Sequence, residues 1–153
     1  MPGVQTVNTA EVFESIQGES SWAGLPCFFI RLAGCNLRCN YCDSSDALVA
    51  GLDTPVDSLV DRATASRAAI VEITGGEPLL QRGFKELATR LRDCSRKRVL
   101  VETNGSLDIS VIPSGVRAIM DVKCPGSGSG EAMDLGNLAR LRPGDEVKFV
   151  VRD

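Results

Sequence analysis

Three cysteines, Cys35, Cys39 and Cys42, fall within one short segment, Gly34-Cys35-Asn36-Leu37-Arg38-Cys39-Asn40-Tyr41-Cys42-Asp43. Thiolates so spaced can supply three irons of a [4Fe–4S] cluster from a single loop. The fourth iron then has no protein ligand and is open to a small molecule carrying an amine and a carboxylate. Two other readings compete. Cys39-x-x-Cys42 is a zinc half-site, but zinc needs a second pair, and neither Cys27 nor Cys94 has a cysteine partner at ligand spacing. A thioredoxin-type redox pair would open a helix and would leave Cys35 without a task. The spacing favours the cluster and leaves zinc and redox thiols open. Cys27, Cys94 and Cys124 are expected to be small buried residues.

Other segments carry chemistry more weakly. In Thr74-Gly75-Gly76-Glu77-Pro78 two glycines allow close backbone approach to a ligand, and Pro78 suits a first helical position. Backbone carbonyls and Glu77 could hold an ammonium group; a tight strand-to-helix turn is the plainer reading. Glu102-Thr103-Asn104-Gly105 could reach a ribose or adenine. Asp121 and Lys123, two apart on one strand, point the same way, either into a binding site or as a buried ion pair. Gly126-Ser-Gly-Ser-Gly130 reads as a mobile loop and lacks the spacing of a dinucleotide site.

Apolar periodicity supplies the elements that must position these segments. Strands are expected at Glu11–Ile16, Cys27–Leu32, Ala69–Ile73, Arg98–Val101, Ala118–Val122 and Val147–Val151. In the second, Phe28, Ile30 and Leu32 share one face while Phe29 and Arg31 share the other. Thr54-Pro55 reads as the cap and first residue of a helix with a Val56, Leu59, Val60, Ala63 stripe. A second helix is marked by Phe84, Leu87, Ala88 and Leu91, and a short one spans Leu135–Leu141. Alternating strand and helix argues for an α/β fold with a parallel sheet, and the segments named above fall at strand C-terminal ends, where such sheets gather their chemistry.

Composition narrows the classes further. The chain has 153 residues, 43% hydrophobic and 24% charged, with net charge −3 and no histidine. One domain covering 1–153 is expected. No basic stripe suits nucleic acid, no apolar run suits a bilayer, and the first residues do not read as a signal peptide. A cytoplasmic location is expected, where six cysteines serve metal or redox chemistry rather than disulfides. The absence of histidine removes Cys–His nucleophilic pairs and imidazole zinc sites.

Cys35-x3-Cys39-x2-Cys42 together with Gly75-Gly76-Glu77-Pro78 resembles the radical S-adenosylmethionine superfamily. Glu11-Val-Phe-Glu-Ser-Ile-Gln-Gly-Glu19, Gly24-Leu-Pro26, Phe29-Ile-Arg-Leu32 and Gly34-Cys-Asn-Leu37 are similar to the 7-carboxy-7-deazaguanine synthases within it, a likeness running from Glu11 to Asp153. The resemblance implies a partial (β/α) barrel. It also implies a lyase activity: 6-carboxy-5,6,7,8-tetrahydropterin becomes 7-carboxy-7-deazaguanine with loss of ammonia, on the route to queuosine and other 7-deazapurines. The reduced cluster would cleave S-adenosylmethionine to a 5′-deoxyadenosyl radical that takes a hydrogen from the pterin and later returns it. A runner-up is an activase that makes a glycyl radical on a partner protein; the Gln17-Gly18-Glu19 segment and Arg31 favour the small molecule. From another class, a non-catalytic zinc module is the alternative.

By the same resemblance, Ile16, Gln17, Gly18 and Thr74 contact the pterin, Glu19 accepts from its guanidine-like edge, and Arg31 grips a carboxylate. Tyr41, Cys42, Asp43, Gly76, Asp121 and Lys123 line S-adenosylmethionine, and Cys35, Cys39 and Cys42 hold the cluster. Ser44, where the family usually has threonine, ligates Mg²⁺. Flavodoxin or ferredoxin as reductant and a homodimer also follow from the likeness. Ser20 stands where the family commonly has glycine. The family continues past Val-Lys-Phe-Val-Val-Arg-Asp153, so the chain is expected to lack a last helix and strand of the barrel, with an apolar edge at Val147, Phe149 and Val151.

Overall fold

The computed structural model describes residues 5–48 and 50–151. Residues 1–4 and 152–153, on which the signal-peptide reading and the outer bounds of the domain fall, lie outside them. Seven strands form one sheet: β1 (Thr6–Ile16), β2 (Pro26–Leu32), β3 (Leu52–Pro55), β4 (Ile70–Gly75), β5 (Arg98–Thr103), β6 (Arg117–Asp121) and β7 (Glu146–Lys148). Their order is β3-β1-β2-β4-β5-β6-β7. Antiparallel pairing joins β1 to β2 and to β3, while β2, β4, β5, β6 and β7 run parallel. The sheet is open rather than closed into a barrel.

Helices α1 (Val56–Ala65) and α2 (Phe84–Cys94) cover one face. Their stripes, Val56, Leu59, Val60, Ala63 and Phe84, Leu87, Ala88, Leu91, are those the periodicity marks. They pack on Phe28, Ile30, Leu32, Val71, Ile73, Val99, Val101, Ala118 and Met120 in the main core. Each such buried side chain contributes roughly 1.5–3 kcal/mol. The start of α1 differs from expectation: Thr54 and Pro55 belong to β3, paired with Val7 and Thr6. Thr54 Oγ1 hydrogen-bonds Thr9 Oγ1 across the strands at 2.7 Å, so tertiary pairing overrides the local cap, and proline is tolerated on an edge strand. The third helix, α3, shrinks to Asn137–Arg140.

Period-2 alternation puts the other set of residues on the face without helices. A small apolar layer of Cys27, Phe29, Ile70, Leu100 and Ile119, covered by Phe13 and Trp22, occupies the half nearer the strand N-termini. Toward the C-terminal ends this face turns polar: Arg31, Glu72, Thr74, Glu102, Asp121 and Lys148. Opposite β6, the register sets Lys148 beside Asp121. The apolar edge expected at the last strand is open: Val147, Phe149 and Val151 are 36%, 58% and 77% exposed, and Lys148 and Val150 line the cavity. Cys27 is buried, but Cys94 is exposed and Cys124 half-buried, because Cys94 ends α2 outside its apolar stripe.

Candidate active site

The cysteine loop leaves β2 and is pinned at several points. Gly34 N–H donates to Ala47 O at 2.6 Å, and Asn40 N–H donates to Ser127 O at 2.9 Å. The glycine turn after β4 is fastened to the loop's base: Gly76 N–H donates to Leu32 O at 3.0 Å and Glu77 N–H to Gly34 O at 2.8 Å. This contact explains the glycines. Gly75 has φ +145°, and a Cβ there would sit 2.1 Å from Leu32 O; one on Gly76 would sit 2.1 Å from Gly34 O. Two motifs distant in sequence are thus one backbone junction.

The Glu77 carboxylate already has three donors within the protein. It is fully buried and accepts from Asn104 N–H at 2.7 Å, Thr103 Oγ1 at 2.8 Å and Leu79 N–H at 3.0 Å. Burial raises its carboxyl above the ordinary value, opposed by these donors. Its work is to tie β5 to the glycine turn. Asn104, expected near a ribose, turns its amide to the cysteine loop, donating to Asn36 Oδ1 at 3.1 Å and toward Cys35 Sγ at 3.7 Å.

These loops and the polar face enclose a cavity of about 360 Å³, within the range of small-molecule sites. Its lining brings together Cys35, Cys39, Cys42, Tyr41, Asp43, Gly76, Asp121 and Lys123 with Gln17, Glu19, Arg31, Ser44 and Thr74. Of the residues anticipated from sequence, Ile16 and Gly18 do not line it; Ile16 is 57% exposed at the end of β1. Leu37, Leu48, Glu102, Asn104, Lys148 and Val150 line it as well. Of these, Lys148 and Val150 carried no chemical signal in the sequence, because only the β6–β7 register brings them to the cavity.

The three thiols are free. Among the described residues no group of three His, Cys, Asp or Glu side chains could hold a single metal ion. Three thiols on one loop would suit a cluster, whose thiolates bind different irons and need not converge on one point. Beside the thiols, Tyr41 Oη and Asp121 Oδ1 are buried without a hydrogen-bond partner. Buried polar atoms are normally satisfied, so two orphans in one cavity point to a polar ligand such as the cluster-bound amino acid of S-adenosylmethionine. Asp121 does form the ion pair anticipated as an alternative, with Lys123 Nζ at 2.6 Å. Burial alone would lower the Lys123 ammonium, but Asp121 outweighs it and holds it above the usual value.

Also in the cavity wall, Arg31 donates through Nε to Glu11 at 2.7 Å and through a terminal nitrogen to Ser44 Oγ at 2.9 Å. Ser44 Oγ also lies 3.1 Å from Asp43 Oδ1. Deeper, Gln17 Nε2 donates to Glu72, and Gln17 Oε1 accepts from Glu19 N–H at 3.0 Å. Lys148 Nζ reaches both Glu19 and Glu102, each at 2.5 Å, and Thr74 Oγ1 donates to the second oxygen of Glu102 at 3.1 Å. The carboxylates differ by environment. The Lys148 hydrogen bond pulls Glu19 down against a smaller effect of burial, burial pushes Glu102 up against Lys148, and burial pushes Glu72 up to about 8. Ser20 adopts φ +62°, a left-handed conformation that favours glycine.

Comparisons with known proteins agree with this arrangement. The Radical SAM superfamily matches residues 29–123. The 7-carboxy-7-deazaguanine synthase of Koribacter versatilis is 44% identical over 94% of this chain and 64% of its own length. That of Thermoplasma acidophilum is 37% identical over 94% of this chain and 69% of its own. The crystal structure of QueE from Escherichia coli matches with a TM-score of 0.79 over 96% of this chain and 72% of that one, at 23% identity, a likeness of fold. The chain spans 55% to 64% of the length of the first three such relatives. None of the described helices is long and apolar enough to cross a membrane. Sequence relationship, fold and the joined cysteine and glycine loops place this chain in the radical SAM superfamily and, within it, in the 7-carboxy-7-deazaguanine synthase family.

Proposed function

We propose that the protein converts 6-carboxy-5,6,7,8-tetrahydropterin to 7-carboxy-7-deazaguanine with loss of ammonia. The observation that carries this reading is one cavity lined both by the loop thiols with orphaned polar atoms and by an arginine–carboxylate array. The cluster and S-adenosylmethionine, when bound, supply the radical chemistry. Cys35, Cys39 and Cys42 would hold the cluster, and Tyr41, Asp43, Gly76, Asp121 and Lys123 would face the cofactor.

The chain's own residues bind and orient. Arg31 offers a planar, two-pronged donor suited to a carboxylate. Glu19 and Gln17 present acceptors to the donor-rich edge of a pterin, and Thr74 lines the cavity beside Glu102. A cavity lined by charge on several elements suits a small molecule better than a glycyl loop of another protein. Mg²⁺ belongs to this proposal. Ser44 Oγ and Asp43 Oδ1 are neighbouring oxygen donors of the kind that ion prefers, with Arg31 competing for the same hydroxyl. A flavodoxin or ferredoxin reductant, a homodimer and a cytoplasmic location complete the reading.

The test is anaerobic turnover of the carboxytetrahydropterin by reconstituted protein, with and without Mg²⁺. Formation of the deazaguanine product with Mg²⁺ stimulation is expected; a brown, S-adenosylmethionine-cleaving protein that leaves this pterin unchanged would overturn the substrate assignment.

A further inference from the structure

The bridge made by Lys148 has no part in the reading above. Its ammonium is the only group joining the β1–β2 connection, through Glu19, to the end of β5, through Glu102, in a direct ion-pair bridge among the described residues. Glu102 is held at its other oxygen by Thr74. Three charged side chains bear on Glu102: Lys148 from β7 and Glu19 from the hairpin connection, and Glu72 from β4. Two carboxylates therefore share one ammonium in the cavity. An ammonium so placed does two things: it fixes the orientation of both carboxylates, and it opposes the effect of burial on Glu102.

We propose that Lys148 is a positioning residue for substrate recognition, spanning Glu19 and Glu102 so that both remain ionised acceptors aimed at the donor-rich edge of the bound heterocycle. This rests on the pterin reading. Lys148 itself is not required to touch the substrate; it acts through the two acids. Burial by itself would lower the Lys148 ammonium, but Glu102 and Glu19 outweigh it and hold it above the ordinary lysine range, so it stays charged wherever the acids do. Removing it leaves Glu102 buried beside Glu72 and Glu19 without a counter-charge, and such a carboxyl takes up a proton at higher pH. Removing Glu19 does the opposite, because Glu19 raises Glu102 while Lys148 lowers it.

The test measures equilibrium binding of 6-carboxypterin, an oxidised and unreactive probe, to anaerobically reconstituted protein between about pH 6 and 9. K148M is expected to weaken binding roughly ten- to a hundredfold, the loss attached to a charged hydrogen bond, and to move the low-pH limb of binding to higher pH. K148R should restore most of the affinity and the original limb. E19Q should move the limb to lower pH, and it reports on the same bridge if K148M does not fold. Wild-type affinity in K148M, or equal weakening at every pH with no rescue by arginine, would overturn the inference and leave the pterin reading standing. Failure of the wild-type protein to bind the probe would overturn that reading and this inference with it.

Discussion

Replacing Glu72 by glutamine should flatten the dependence of stability on pH. Glu72 is 1% exposed, and its carboxyl is pushed by burial to about 8 from 4.5, with the Glu102 charge adding to the effect. The sign follows from proton counting. Between those values the folded chain keeps the proton and the unfolded chain has lost it, so Glu72's contribution is fully present below about pH 4.5 and is lost as pH rises toward 8. Each pH unit costs at most about 1.4 kcal/mol, so the contribution falls by about 4 kcal/mol from pH 5 to 8. With a urea dependence of about 2 kcal/mol per molar, that is about 2 M in the unfolding midpoint. Glutamine keeps an oxygen for the Gln17 Nε2 donor and cannot titrate. The assay is urea unfolding of both proteins at several pH values. The wild-type midpoint should drop relative to that of E72Q as pH rises. Parallel curves would show that Glu72 carries no such proton, and the account of this buried layer would be wrong.

Three further outcomes are expected. C35A, C39A and C42A should each lose the visible absorbance and iron of reconstituted protein, whereas C94A, changed at an exposed position at the end of α2, should keep both. G75A should destabilise by about 2 kcal/mol or more in urea unfolding, since the added carbon would overlap Leu32 O in a backbone conformation alanine avoids; unchanged stability would refute the junction. S20G should stabilise by about 1 kcal/mol by relieving the left-handed strain at φ +62°, read as a higher urea midpoint.

Much of the site could be read directly because its signals are local. Three cysteines in one loop, a Gly-Gly-Glu-Pro turn and the Gln17-Gly18-Glu19 segment each carry their meaning within a few residues, and side-chain periodicity marked both helices and six of the seven strands. The strand it missed, β3, forms because Thr54 finds Thr9 across the sheet, a pairing that no local pattern announces. The surroundings of Glu77 are likewise set by distant residues. Beside two glycines it reads as a ligand-binding acid, yet its three donors come from Leu79 nearby and from Thr103 and Asn104 on the next loop.

By itself, then, the sequence pointed to a cluster-binding loop and determined the family and the alternation of strands with helices, since each is written in residue type and short spacing. Only the tertiary structure decided that the glycine turn and the cysteine loop share one junction. It alone decided that Ile16 and Gly18 lie off the cavity, and that Lys148 joins Glu19 across 129 positions. Sheet register is the physical reason: pairing β7 with β6 turns Lys148 and Val150 inward and leaves Val147, Phe149 and Val151 facing out. A shift of one residue would have reversed that assignment.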